Sequence, residues 1–438
     1  MPSPVSRRVF LGQAAGVALC AGATSGRGAE KIPASPAARP KPAPEWPVWD
    51  ASDEDALLGT LRSGLWGRTS AAATRVKDFE ALFAARMRAK FCVATSSGTT
   101  ALLSSLGAIN LGPGDEVVMP PYTFVATFNA ITAHYALPVF ADIDPASFQV
   151  DPAKVAAAIT PATRLLLPVH LGGSPCELDA LAELSKSRGV VLLEDACQAP
   201  AAEWRGRPVG THGLGGCFSF QASKNLTSGE GGAVVTNDEA FANQVFNFHT
   251  PGAPKPGASW GRAANYRMTE FQAALLATQF ARFDRQQDLR NANALHLTSL
   301  LREIRGIAPA KLLGDNSRSA WHLYMLRYDR EQFAGLPRVK FLSALAKEGI
   351  AASSGYTSLN ASPHVAALAR NPHYQRVYGR ETMTRWAERN RCPANDRLVE
   401  EAVWLGQTKL LGSRSEMERI AEAIAGIQRR AGDLARSE

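Results

Sequence analysis

An α/β fold is predicted, with a mainly parallel sheet between helices and a second, smaller α/β unit after it. Three observations predict it. Short apolar runs alternate with helical patterns along the first two thirds of the chain, which is the signature of parallel strands joined by helical crossovers. The polar residues with chemical potential mostly follow the ends of those apolar runs, where sheets of this kind bind ligands. The chain is also long for one core at 438 residues, so two domains are expected.

In order along the chain, 50–62 and 76–88 read as helices, with apolar residues at three- and four-residue spacing and a Gly64-Leu-Trp-Gly67 loop between them. Apolar strands follow at 91–94, 116–119, 138–140, 164–169 and 190–193, with helical patterns at 100–109, 125–135 and 177–188. Long helical patterns return at 270–301, 338–348 and 415–430, with a strand at 321–328. The resulting division is a leader at 1–29, a linker at 30–47, a large domain at 48–283 and a small C-terminal domain at 284–438.

The leader has adjacent arginines, Arg7 and Arg8, before Phe10 and Leu11, then a charge-free run to Gly26 with a small-residue exit. This resembles a twin-arginine export signal, a route that carries folded proteins to the periplasm; the alternatives are a basic tail on a cytoplasmic protein or a membrane anchor. Six prolines between positions 33 and 47 favour an extended linker. Arg7, Arg8, Arg27, Lys31, Arg39 and Lys41 against Glu30 and Glu45 supply half of the net charge of +8. The body has no basic run interleaved with aromatics, so nucleic acid is not an expected partner. No transmembrane span is visible in the mature chain. The cysteines form neither a CxxC pair nor a zinc-spaced Cys/His cluster, and free buried thiols are expected.

Four segments carry the chemistry. Ser96-Ser-Gly-Thr-Thr100 lies between a strand and a helix, which fits a phosphate site or a plain Ser/Thr helix cap. Phe124, after another strand end, fits a ring stacked on a planar cofactor or a core aromatic. Glu194-Asp-Ala-Cys-Gln198 ends a buried strand; Asp195 there can pair with a protonated ring nitrogen or cap a helix, and Gln198 can donate to a ring oxygen. In Phe218-Ser-Phe-Gln-Ala-Ser-Lys-Asn-Leu-Thr-Ser-Gly-Glu-Gly-Gly232, Lys224 sits between an apolar strand and a glycine-rich corner. A lysine so placed can hold a carbonyl cofactor as a Schiff base, and burial favours its neutral, nucleophilic form. Ser219 and Ser223 add hydroxyls for a phosphate. Together with Asp195, these features fit pyridoxal 5'-phosphate (PLP), whose electron-sink chemistry depends on such a lysine and aspartate.

From about Trp49 to near the C-terminus, the sequence resembles the DegT/DnrJ/EryC1/StrS family of PLP-dependent sugar aminotransferases. The resemblance rests on Asp78-Phe-Glu80, Ser97-Gly-Thr99, Gly112-Pro-Gly-Asp115, Asp142-Ile-Asp144, Pro168-Val-His170, Glu194 to Gln198, Phe218 to Gly232 and Asn265-Tyr-Arg-Met268. It implies the PLP-dependent transferase fold of the aspartate-aminotransferase type. It implies Lys224 as the lysine of the internal aldimine, Asp195 as partner of the pyridine nitrogen and Gln198 as contact to the ring hydroxyl. Gly98, Thr99 and Ser219 become phosphate contacts, and Phe124 the stacking ring. Asn265 is expected to reach the cofactor of a neighbouring subunit, which implies a homodimer with shared active sites. The implied reaction moves an amino group from glutamate or glutamine to a nucleotide-linked keto-sugar or a keto-cyclitol. A PLP-dependent sugar dehydratase and a non-enzymatic PLP- or sugar-binding sensor are the alternatives; the retained Lys224 argues against the first. Two segments depart from the family pattern, His170-Leu-Gly-Gly173 and Ser358-Leu-Asn360, and both bear on acceptor recognition.

Overall fold

The computed structural model describes residues 43–252, 254–257 and 261–436. The leader and all but the last five residues of the expected linker lie outside these. Its centre is a seven-stranded sheet. In chain order the strands are β1 (Phe91–Thr95), β2 (Glu116–Met119), β3 (Leu137–Phe140), β4 (Thr163–Leu166), β5 (Val191–Asp195), β6 (Gly215–Ser219) and β7 (Gly232–Thr236). They lie side by side as β1, β7, β6, β5, β4, β2, β3. The run from β6 through β3 is parallel, while β7 is antiparallel to both β6 and β1. The fold is therefore the expected α/β class. Most strand residues are buried and apolar, as befits a sheet covered on both faces.

Helices flank the sheet: α1 (Ala51–Ser63), α2 (Arg75–Arg86), α3 (Gly98–Ala108), α4 (Val125–Thr132), α5 (Pro152–Ala158), α6 (Leu178–Arg188) and α7 (Glu239–His249). The α3 helix begins where a capping box forms, Ser97 Oγ accepting from Thr100 N and Thr100 Oγ1 accepting from Ser97 N. A longer helix, α8 (Glu270–Leu301), starts at the same device between Thr269 and Gln272. It packs on α1 and α2 at one end and on the C-terminal part of the chain at the other.

That C-terminal part is built on a three-stranded antiparallel sheet, β8 (Ile307–Pro309), β9 (Leu323–Tyr328) and β10 (Ala402–Gly406). Its core takes Leu297 and Leu301 of α8, Phe341 of α9 (Arg338–Lys347) and Ile420 and Ile424 of α14 (Arg414–Arg429). Three short helices depart from this pattern: α10 (Pro363–Ala369), α11 (Pro372–Tyr378) and α12 (Arg380–Arg389). They lie in sequence between β9 and β10 of the small sheet, yet Val365, Leu368, Tyr374, Met383 and Trp386 join the core of the seven-stranded sheet. The reason lies at edge strand β3. Its Pro138 O accepts from Trp386 Nε1 at 2.5 Å, and its Phe140 N donates to Asn390 Oδ1 at 2.7 Å. An uncovered edge would leave such backbone groups unpaired. After α12, helix α13 (Pro393–Glu401) leads into β10.

Part of the expected linker packs on the body. Trp46, inside the expected linker, donates its Nε1–H to Ala222 O at 2.7 Å and lays its ring beside the Arg290 guanidinium. Among the described residues no helix is long and apolar enough to cross a membrane. Cys176, Cys217 and Cys392 are buried and Cys92 and Cys197 half-buried, all as free thiols.

Candidate active site

At the carboxyl ends of the parallel strands lies a cavity of about 450 Å³. Seven of the eight residues singled out from the sequence line it: Gly98, Thr99, Phe124, Asp195, Gln198, Ser219 and Lys224. They arrive from four strand ends, Gly98 and Thr99 after β1, Phe124 after β2, Asp195 and Gln198 at β5 and Ser219 and Lys224 at β6, which is why one cavity gathers residues far apart in sequence.

The α3 N-terminus forms one wall. The first N–H groups of a helix have no intrahelical acceptor. Ser97 Oγ takes that of Thr100 at 3.1 Å, and the backbone of Gly98 and Thr99 faces the cavity. Glycine is required at position 98, because a Cβ there would lie 2.6 Å from Ser219 Cβ and 2.9 Å from Cys197 Sγ. This close approach of α3 to the end of β6 sets the Ser219 hydroxyl beside the helix terminus.

Asp195 closes β5 and is buried. Its Oδ2 accepts from Thr127 Oγ1 at 2.8 Å, and Thr127 is 3.0 Å from Thr123 Oγ1. Its Oδ1 accepts from Cys197 N at 3.1 Å. These bonds fix the carboxylate while leaving lone pairs for a donor in the cavity. Its neighbour Glu194 faces the other way. Burial alone raises a carboxyl's pKa, yet Glu194 is held below its ordinary value by His170 and by the backbone N–H of Gly210. It also accepts from the N–H groups of His212 and Gly213 at 2.8 and 3.0 Å. Of the two carboxylates at this strand end, Asp195 alone lines the cavity.

Gln198 is locked by its amide oxygen, which accepts from Gly172 N at 2.8 Å, so its NH₂ group points towards the Tyr356 hydroxyl, 3.3 Å away. Gly172 holds this position with φ of 66°, a left-handed conformation that favours glycine. The His170-Leu-Gly-Gly173 departure is thereby explained in part. His170 itself is fully buried, with Nδ1 accepting from Cys176 N at 3.1 Å and Nε2 on Glu194 at 2.9 Å, and it does not line the cavity.

Lys224 follows β6 and is half-buried at the cavity wall. Burial lowers its pKa from the ordinary 10.5, against the opposing pull of Cys197 and Asp195. Its Nζ stands 3.4 Å from His322 Nε2. Phe124, at the mouth, is 55% exposed and packs against Tyr356 with ring centroids 6.1 Å apart. Tyr356 is half-buried, and the burial of its hydroxyl pushes that group up to about 12. Asn265, the eighth residue, lies outside the cavity on an exposed loop, its side-chain oxygen 3.5 Å from Arg267 N.

Sequence reasoning missed Thr127, His322 and Tyr356. Thr127 sits one turn into α4, at the spacing that could have linked it to Thr123. His322 and Tyr356 carry no local signal; the small sheet and the loop before α10 deliver them. Ser358 and Asn360, the second departure, are tied to Asp396 and Asn395 beside the cavity and do not line it.

Comparison with known proteins is consistent with this geometry. Residues 50–425 match the model of the DegT/DnrJ/EryC1/StrS aminotransferase family. L-glutamine:2-deoxy-scyllo-inosose aminotransferase of Streptoalloteichus tenebrarius is 36% identical over 413 residues, covering 90% of this chain and 96% of that protein. The crystal structure of 3-amino-5-hydroxybenzoic acid synthase superposes with a TM-score of 0.76 at 32% identity, covering 90% of this chain and all of that one. DesI, solved in the presence of its TDP-sugar product, gives a TM-score of 0.75 at 28% identity, over 90% and 93% of the two chains.

Proposed function

This chain belongs to the DegT/DnrJ/EryC1/StrS aminotransferase family, and on that premise we propose that it transfers an amino group from glutamine to the ketone of a polyhydroxylated ring, using pyridoxal 5'-phosphate. The observation that carries this reading is the convergence of Lys224, Asp195 and the α3 N-terminus on one cavity.

The residues present fit that cofactor. Asp195 has a buried carboxylate with unused lone pairs, suited to a protonated pyridine nitrogen. The N–H groups of Gly98 and Thr99 and the Ser219 hydroxyl suit a phosphate at a helix N-terminus. Phe124 would suit one face of a planar ring, and the Gln198 NH₂ could donate to a ring oxygen. Bound there, the cofactor supplies a carbonyl that takes up the amino group and an electron-poor ring. Lys224 would be the residue that holds that carbonyl, and its neutral amine would be the base that moves a proton at the donor's α-carbon. Burial supports that role by lowering its pKa.

An uncharged acceptor such as a keto-cyclitol fits best. Among the described residues lining the cavity, Lys224 and His322 are the only basic side chains, and Glu230 sits at the rim. A nucleotide-linked sugar brings a diphosphate, which calls for further cations. The relative from Streptoalloteichus tenebrarius, by its name, acts on a cyclitol ketone with glutamine. The test is amine formation from glutamine with a keto-cyclitol and with a TDP-linked keto-sugar, read by mass spectrometry. Amination of the cyclitol alone is expected; amination of the TDP-sugar alone overturns the acceptor reading, and amination of neither overturns the reaction.

The site is completed by a second copy, whose Asn265 reaches the phosphate. Support comes from exposure: Asn265 is exposed and does not line its own cavity, and Trp66 and Phe124 are 52% and 55% exposed. The Arg7-Arg8 leader directs the folded enzyme to the periplasm. Fractionation of cells carrying a Lys-Lys replacement of this pair tests the route; retention inside is the expected result.

A further inference from the structure

We propose that His322 is a positioning residue for Lys224, its Nε2 acting as an unprotonated acceptor that aims the lysine amine, and that the buried guanidinium of Arg290 keeps this acceptor free of a proton. The proposal rests on the reading of Lys224 given above.

The hydrogen bonds around the ring define its tautomer. Asn225 donates its Nδ2–H to Ala320 O at 2.6 Å, which turns its Oδ1 towards His322 Nδ1, 3.3 Å away. An amide oxygen can only accept, so Nδ1 carries the ring proton. The lone pair is then on Nε2, facing Lys224 Nζ at 3.4 Å. Asn225 directly follows Lys224 in sequence, so one turn places both the amine and the group that orients its acceptor.

Arg290 supplies the second layer. It comes from α8 and is fully buried. Its Nε donates to Gln407 Oε1 at 2.8 Å, and Gln407 N donates to His322 O at 3.1 Å, so the guanidinium is one residue removed from the histidine backbone. Both terminal nitrogens of Arg290 lack a hydrogen-bond partner, and no carboxylate pairs with it in the described residues. The Trp46 ring covers it at 5.4 Å. An unneutralised buried cation is costly.

Here the field opposes a second positive charge. Burial first, then Lys224 and Arg290, drive the His322 pKa well below its ordinary 6.5. The acids lining the same cavity are Asp195 and Glu230, together with the neutral Cys197 and Tyr356. A protonated His322 would turn an N–H towards the lysine and deflect it; a neutral one accepts from it and holds it towards the cavity.

The test uses the full chain without cofactor. Nitrogen-15 spectra of histidine-labelled protein, with His322→Gln assigning the resonance, report tautomer and titration directly. The expected result is an Nδ1–H tautomer that does not titrate between about pH 5 and 8, with a midpoint about one unit higher in Arg290→Met. Stopped-flow capture of pyridoxal phosphate by Lys224 supplies the second readout. His322→Phe is expected to slow capture about tenfold. His322→Gln, which keeps an acceptor, is expected to restore most of the rate. An Nε2–H tautomer, a titration near pH 6.5, or wild-type capture by His322→Phe overturns the proposal. If the wild type captures no pyridoxal phosphate, the functional reading fails while the spectra still decide the His322 arrangement. A His322 midpoint unchanged in Arg290→Met overturns the role of Arg290; should that variant not fold, Arg290→Gln, which removes the charge and keeps a donor, is read in the same way.

Discussion

Lys224 gains its character from where it is buried. Its folded pKa lies below the 10.5 of the free side chain, so below pH 10.5 the unfolded chain holds a proton that the folded one gives up. The stability tied to this site is fully present above 10.5 and is lost as pH falls through the folded value. Lys224→Met should therefore stabilise the cofactor-free protein at pH 7, with the gap closing as pH approaches 10.5; urea midpoints across that range check both sign and window. Gly98 makes a second residue-scale prediction. A methyl there meets Ser219 Cβ at 2.6 Å, so Gly98→Ala should cost about 1–3 kcal/mol in urea unfolding and weaken retention of pyridoxal phosphate. These positions were legible in the sequence because each sits in a contiguous motif beside a strand end. His322 and Tyr356 were not, since they enter the cavity from segments about 100 residues or more away along the chain and carry no local pattern. Glu194 and Asp195 illustrate the limit from the other side: adjacency marks both, and only the alternation of a strand sends one to the cavity and the other to His170.

Among elements, the strands of the parallel run and most long helices were readable from periodicity, whereas Gly232–Thr236, Ile307–Pro309, Ala402–Gly406 and helix α7 were not expected, and direction and destination were not readable at all. Nothing in the Gly232–Thr236 sequence says that this strand runs against its neighbours; pairing with both β1 and β6 decides it. Helices α10 to α12 span seven, seven and ten residues, too short for a periodic signal, although Ser362-Pro363 and Asn371-Pro372 mark the first two starts. Their destination, the edge of β3, is a tertiary matter. Trp386 holds it by packing and by its bond to Pro138 O. Trp386→Ala should destabilise the protein by about 3–5 kcal/mol in denaturant unfolding and raise hydrogen exchange along β3 before the rest of the sheet.

For the whole molecule, the proposed dimer would make the active site a joint product of two copies. With Lys224 in one cavity and Asn265 serving the other copy's, two separately inactive variants would complement each other. Mixing Lys224→Ala with Asn265→Ala, after exchange of subunits, should restore up to about one quarter of wild-type activity by random pairing of copies. Failure of complementation in a preparation shown by sedimentation to contain mixed dimers argues against a shared site.

The chemistry itself is tested most directly by mass spectrometry of the protein after borohydride reduction in the presence of pyridoxal phosphate. The account predicts a single pyridoxyl group on the peptide that carries Lys224, and its loss when glutamine is added before the reductant. A group on any other lysine, or none on the folded protein, contradicts it.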